Sequence, residues 1–180
     1  FADKIICIDH PWYKKGYIQN EVKKVPSWII HLNRKIFFNK SQKFNSFRKI
    51  FLDRSTSKYN HCKIFNQSSL NGWLKKNNFG IYAPEKLSQE KQIYLFKNAS
   101  IILGAHGAAL TNIIFSRPGT KIIEIIPADH PNKKCERISK ILNLRYFRIK
   151  TKPDNSDKNF PFKIHVNKKH LKIINDIINL

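Results

Sequence analysis

From residue 101 to 112 the chain reads Ile-Ile-Leu-Gly-Ala-His-Gly-Ala-Ala-Leu-Thr-Asn. An apolar run breaks into two glycines three apart, then into small residues. Gly104 and Gly107 permit close approaches that a side chain would forbid, and Ala108 and Ala109 let a following helix sit tight on a sheet. A strand that turns this way into a helix aims unpaired N–H groups and partial positive charge at the crevice beyond its end. Phosphate suits that crevice. His106 stands at the mouth of the turn, where its imidazole can bind a phosphate oxygen or, protonated, offset charge on a leaving diphosphate. A histidine satisfied by local backbone is the plainer alternative. After the turn Phe115–Thr120 comes a second apolar run, Lys121–Ile126, with Glu124 as its one carboxylate. A carboxylate there needs donors. Ribose hydroxyls would serve, as in other nucleotide sites, and so would a structural pair with a nearby Lys or Arg.

The elements that must hold these residues follow from hydrophobic period. Short β-rich runs lie at Lys4–Ile8, Lys49–Leu52, Phe79–Tyr82, Ile101–Leu103, Lys121–Ile126 and Tyr146–Ile149. Helical stripes fall between them. Pro26 opens one whose apolar side is Trp28, Ile29, Leu32 and Ile36, and Trp28 and Trp73 read as core. Others span Gln67–Asn77, a segment capped by Ser88 with Ile93, Leu95, Phe96 and Ala99 inward, Lys133–Leu142, and Asn167–Asn179. Alternating strands and helices predict an α/β fold, a Rossmann-like parallel sheet flanked by helices. The near-continuous apolar runs suit strands buried on both faces. Three segments are expected: 1–38 as the remainder of an N-terminal or interdomain region, 39–163 as the Rossmann-like domain, and 164–180 as a C-terminal helix.

The 180 residues carry 34 Lys and Arg against 12 Asp and Glu, a formal charge of +22. That field favours an anionic partner, although Lys- and Asn-rich usage also accompanies AT-rich coding. The lysines are spread along the chain with no nucleic-acid reader motif, so nucleic acid is not the expected partner. Cys7, Cys62 and Cys135 form no C-x-x-C pair, and idle thiols with no bound metal are expected. No run reaches the ~18 apolar residues of a membrane span, and no signal peptide opens the chain. A cytoplasmic location follows as an expectation, with peripheral membrane association through Lys163, Lys168, Lys169 and Lys172 as its variant. From a start without Met, the chain is expected to be a piece of something longer.

The stretch NASIILGAHGAALTNIIFSRPGTKIIEIIP, preceded by LSQEKQIYLFKNA, resembles the signature region of the family 61 glycosyltransferases. RKIFLDRSTSKYNHCKIFNQSSLNGWLKKNNFGIY and VPSWIIHLNRKIF resemble the segments upstream, so the likeness spans roughly residues 22–150. It implies the C-terminal, donor-binding half of a GT-B-like inverting transferase, moving sugar from a nucleotide sugar, usually a UDP-sugar, to a glycan or protein hydroxyl without an obligatory metal. Arg54 matches the arginine that ends a family strand and contacts the diphosphate. Gln92 matches a glutamine of the helix before the motif. The donor-binding set this implies is Arg54, Gln92, Gly104, Ala105, His106, Gly107, Ala108, Asn112 and Glu124, with His106 and Arg54 as catalytic residues. The sequence departs from the family at Asn66-Gln67, where Asn-Glu is common, and at Cys62-Lys63, where an arginine is usual. Independently of the likeness, no Asp-x-Asp occurs, so diphosphate charge must be met by Arg, Lys, His and a helix terminus. An inactive remnant that keeps the fold is the competing expectation.

Overall fold

A computed structural model of the chain describes residues 26–56, 61–152 and 162–180. The strand expected at Lys4–Ile8, together with Cys7, lies outside the described residues. Five strands, β1 (Lys49–Leu52), β2 (Phe79–Tyr82), β3 (Ile101–Ala105), β4 (Lys121–Pro127) and β5 (Arg145–Thr151), form one parallel sheet in the order β2-β1-β3-β4-β5. Helices α1 (Ser27–Phe37), α2 (Gln67–Lys76), α3 (Gln89–Asn98), α4 (Lys134–Ile141) and α5 (Lys168–Asn179) flank it. The sheet is the expected Rossmann-like α/β arrangement. From β1 the chain steps to β2 on one side, then crosses to β3 on the other. This reversal is the topological switch point, and the crevice at the carboxyl ends of β1 and β3 is where such sheets bind ligands.

Strand residues alternate between two buried faces. Ile50, Leu52, Ile102 and Ile122 pack with Ile93 and Phe96 of α3 and Ile138 of α4. Phe51, Leu103, Ile123 and Ile125 pack with Leu70 and Leu74 of α2 and with Ile174 and Ile177 of α5. Helix α5 is therefore part of the sheet's own core, and its start is fixed by a capping box between Asn167 and His170.

Two expectations are corrected. Trp28, Leu32 and Ile36 face outward, at 54%, 45% and 44% exposure, and Ile30 is the buried residue of α1. Arg34 sets this rotation: one turn on from Ile30, its Nη1 donates to the carbonyls of Ile114 and Ser116. The segment after the glycine turn, Ala108–Phe115, is a 3-10 helix rather than an α-helix. Leu110 and Ile113, three apart, are both buried on its inner side, in keeping with three residues per turn.

Candidate active site

Arg54 lies two residues past the end of β1, and His106 one residue past β3, so the two flank the switch point. The Arg54 Nη1 donates to the carbonyl oxygen of His106, bridging the two loops. Burial lowers the Arg54 pKa, with Cys62 and Glu85 opposing, and a guanidinium stays charged all the same. This contact explains Gly107. A Cβ there would sit 2.5 Å from Arg54 Cζ and closer still to Nη1. Gly104 answers a tighter packing need within the sheet, since its Cβ would lie 3.2 Å from that of Leu52.

The parallel register sets Gly104 beside Glu124. His106, two residues on from Gly104, lies on the same face as that carboxylate. His106 Nδ1 lies 2.6 Å from Glu124 Oε1, and the Tyr146 hydroxyl donates to Oε2 at 2.5 Å. The Cys135 thiol is a third donor. Burial raises the Glu124 pKa, but the bonds from His106, Tyr146 and Cys135 outweigh it and hold the carboxyl below its ordinary value. An ionised Glu124 fixes the His106 proton on Nδ1. The same arrangement pushes the Tyr146 hydroxyl and Cys135 thiol up, through burial first and Glu124 second. Both Glu124 oxygens are thus engaged within the protein, and the partner is His106 rather than a Lys or Arg.

His106 is 5% exposed. Above it lie imidazoles that sequence reasoning did not single out. His130, three residues past β4, has its ring centroid 4.3 Å from that of His106. His61, in the loop after β1, lies 6.2 Å from His106 and 5.2 Å from His130. Phe162 packs edge-on against both His61 and His130. Burial, then the neighbouring His106 and His61, lower the His130 pKa to about 4. His61 is lowered by burial, His106 and Arg54. Cys62 is wholly buried and its thiol is pushed up to about 12, chiefly by burial. The only sequence signal for this cluster is the adjacency of His61 and Cys62.

Gln92 and Asn112 meet each other: Asn112 Nδ2 donates to Gln92 Oε1 at 2.8 Å, tying α3 to the 3-10 segment. Ala105 is buried at the end of β3, and Ala108 is exposed. The residues that depart from the family pattern have internal work. Gln67 Nε2 donates to Asp53 Oδ1 at 2.6 Å, and the Asn66 amide bonds both backbone groups of Val166. A separate cavity of about 310 Å³ opens at the other end of the sheet, among Arg48, Lys97 and Arg117.

Comparison with known proteins finds partial matches to three curated plant glycosyltransferases. A Beta-1,2-xylosyltransferase of Arabidopsis thaliana is 40% identical over 60 residues, 33% of this chain and 11% of that protein. Beta-1,2-xylosyltransferase RCN11 of Oryza sativa subsp. japonica is 32% identical over 87 residues, 45% of this chain and 16% of that protein. Xylan glycosyltransferase MUCI21 of Arabidopsis thaliana is 38% identical over 48 residues, 26% of this chain and 10% of that protein. The matched stretches therefore span at most about a sixth of those relatives' length. The profile described as Glycosyltransferase 61 matches residues 1–123, which include the strand arginine and the whole glycine turn. The chain belongs to the glycosyltransferase 61 family.

Proposed function

We propose that this chain forms the donor-binding part of a glycosyltransferase that moves sugar from a nucleotide sugar, a UDP-sugar first, to a hydroxyl of a glycan or protein. The observation that carries the reading is the Arg54–His106 bridge across the switch point. It sets a fixed cation and the backbone of residues 107–108 beside the crevice where open α/β sheets bind nucleotides, the His106 N–H being taken by the Ile125 carbonyl. Arg54 is half-buried and Ala108 exposed, so the guanidinium and the loop backbone are assigned the diphosphate contact. His106 is assigned a supporting part from beneath. Glu124 holds its ring in place through Nδ1 as charge develops on the departing diphosphate. The reaction is in-line displacement at the anomeric carbon with inversion, the acceptor hydroxyl giving its proton to a base. Diphosphate charge is met by these groups with no bridging magnesium or manganese.

The relatives' names make UDP-xylose the first donor to titrate. Calorimetry with UDP and UDP-xylose should show binding without added magnesium or manganese. Arg54→Ala should weaken it by about tenfold or more, since hydrogen bonds to charged groups contribute ~1.5–3 kcal/mol. Arg117→Ala, which removes a cation at the opposite end of the sheet, should leave affinity unchanged and so controls for the overall +22 charge. Wild-type UDP affinity in both Arg54→Ala and His106→Ala would withdraw the reading.

A further inference from the structure

We propose that His61, Cys62 and His130 form a site for one zinc-class divalent cation, a role separate from the sugar-transfer reading and not dependent on it. One ligand atom from each of the three residues lies within 4.8 Å of the others. The His61 and His130 Nε2 atoms are 3.1 Å apart. A tetrahedral zinc with ordinary bond lengths separates two nitrogens by about 3.3 Å, and nitrogen from sulfur by about 3.6 Å. The two nitrogens already stand near that separation, and the ligand atoms, spread over up to 4.8 Å, close on an ion by side-chain rotation that brings the sulfur in by about 1 Å. Two imidazoles and a thiol suit zinc or cobalt, whereas magnesium, manganese and calcium seek oxygen donors.

The scaffold holds each ligand from a different direction. His130 sits on a turn closed by its N–H to the Pro127 carbonyl, and its own carbonyl accepts from Arg148 Nη2 at 2.7 Å. The His61–Cys62 loop is pinned just downstream, where Ile64 pairs with Ile164 and Asn66 bonds Val166. Cys62 itself adopts a left-handed backbone with φ 54°. That conformation is disfavoured for a side-chain-bearing residue, and glycine or asparagine would take it more readily. A wholly buried cysteine held there, beside two histidines, is a backbone outlier of the kind that collects at functional positions.

Loading exchanges protons in a defined way. The ion replaces the Cys62 thiol proton, which leaves to solvent. His130 moves its ring proton from Nε2 to Nδ1 and gives up the long 3.3 Å contact from the Asn132 N–H. Three protein ligands leave one coordination position for water. The ligand set is His61, Cys62 and His130, and His106 keeps its Nδ1 contact with Glu124.

The test is cobalt titration of the full chain, stripped of metal, followed by absorption spectroscopy and zinc competition. One equivalent should give tetrahedral d–d bands and a thiolate-to-cobalt charge-transfer band, both abolished by one equivalent of zinc. Cys62→Ser should remove the charge-transfer band, and His61→Ala should weaken cobalt binding at least tenfold. His61 is half-exposed, so His61→Ala keeps the test decisive if Cys62→Ser fails to fold by circular dichroism. Absence of the charge-transfer band in wild type, or cobalt affinity unchanged in His61→Ala, would overturn the proposal.

Discussion

Alanine at Gly107 should destabilise the protein only while Arg54 is present. Gly107 has φ 165° and ψ 178°, extended backbone that alanine also adopts, so the substitution carries no intrinsic backbone penalty. The conflict is with the guanidinium, where the new Cβ would lie 2.5 Å from Cζ. Arg54 must swing away and lose its bond to the His106 carbonyl. A hydrogen bond from a charged donor is worth ~1.5–3 kcal/mol, which sets the expected loss for Gly107→Ala. In an Arg54→Ala background the obstacle is gone. There the replacement should stabilise by ~0.4–1 kcal/mol, because alanine has less unfolded-state freedom to lose. The coupling between the two sites is therefore about 2–4 kcal/mol with a change of sign. Urea denaturation of wild type, both single variants and the double variant measures it directly. UDP titration of the same four proteins should show Gly107→Ala weakening affinity about as much as Arg54→Ala. Additive stability changes, or Gly107→Ala neutral in the wild-type background, would refute the idea that this glycine exists to admit the arginine.

Tyr146→Phe should lower stability by ~1–3 kcal/mol in urea denaturation, because a buried Glu124 oxygen loses its donor; no change would mean that bond is not made in solution. Asn167→Ala removes the cap of α5 and should cost about 1 kcal/mol by the same measurement. Ser88→Ala should cost only about 0.5 kcal/mol, since its bond to the Lys91 N–H is long at 3.4 Å. Asp53 feels a burial effect that raises its pKa, but bonds from Gln67 and Ser55 outweigh it and hold the carboxyl below its ordinary value. Its stabilising contribution is thus fully present above the unfolded-state value near pH 4 and is lost as pH falls through the lower folded value. Urea midpoints measured from pH 6 to pH 2 should accordingly fall less steeply in Asp53→Asn than in wild type.

The sheet was legible because a parallel strand covered on both faces reads as an uninterrupted apolar run. Lys49–Leu52 and Phe79–Tyr82 match the expected bounds, and β3, β4 and β5 extend theirs by one to three residues. Helix faces were legible where one apolar stripe had no rival, as with Ile93, Leu95 and Phe96 of α3. They were not legible in α1. Trp28, Leu32 and Ile36 make the stronger stripe, yet a polar side chain, Arg34, finds two carbonyls at the end of the 3-10 segment and turns that stripe outward. Hydrophobic period has no term for a distant carbonyl, so this reversal lies beyond it.

The site divides along the same physical line. Gly107, His106 and Glu124 stand out locally, because a glycine pair, an imidazole and a strand carboxylate are unusual against their own neighbours. What joins them is register: Gly104 pairs with Glu124, and that pairing alone directs the carboxylate to His106 rather than outward to a ribose. His61, Cys62 and His130 carry no such mark, since each is an ordinary residue in an ordinary loop and 68 residues separate the outer two. They meet because β1, β3 and β4 are parallel neighbours, so the loops leaving their carboxyl ends share one edge of the sheet. The fold thereby gathers on that edge a guanidinium, a carboxylate-held imidazole and a soft donor triad, with His106 in contact with both sets. An ion in the triad would fix the lid of rings that covers His106 and leave its Glu124 bond intact. Metal loading should therefore alter access to the crevice more than the charge arrangement beneath it, and stopped-flow mixing of UDP with metal-free and zinc-loaded protein would register this as a slower association rate.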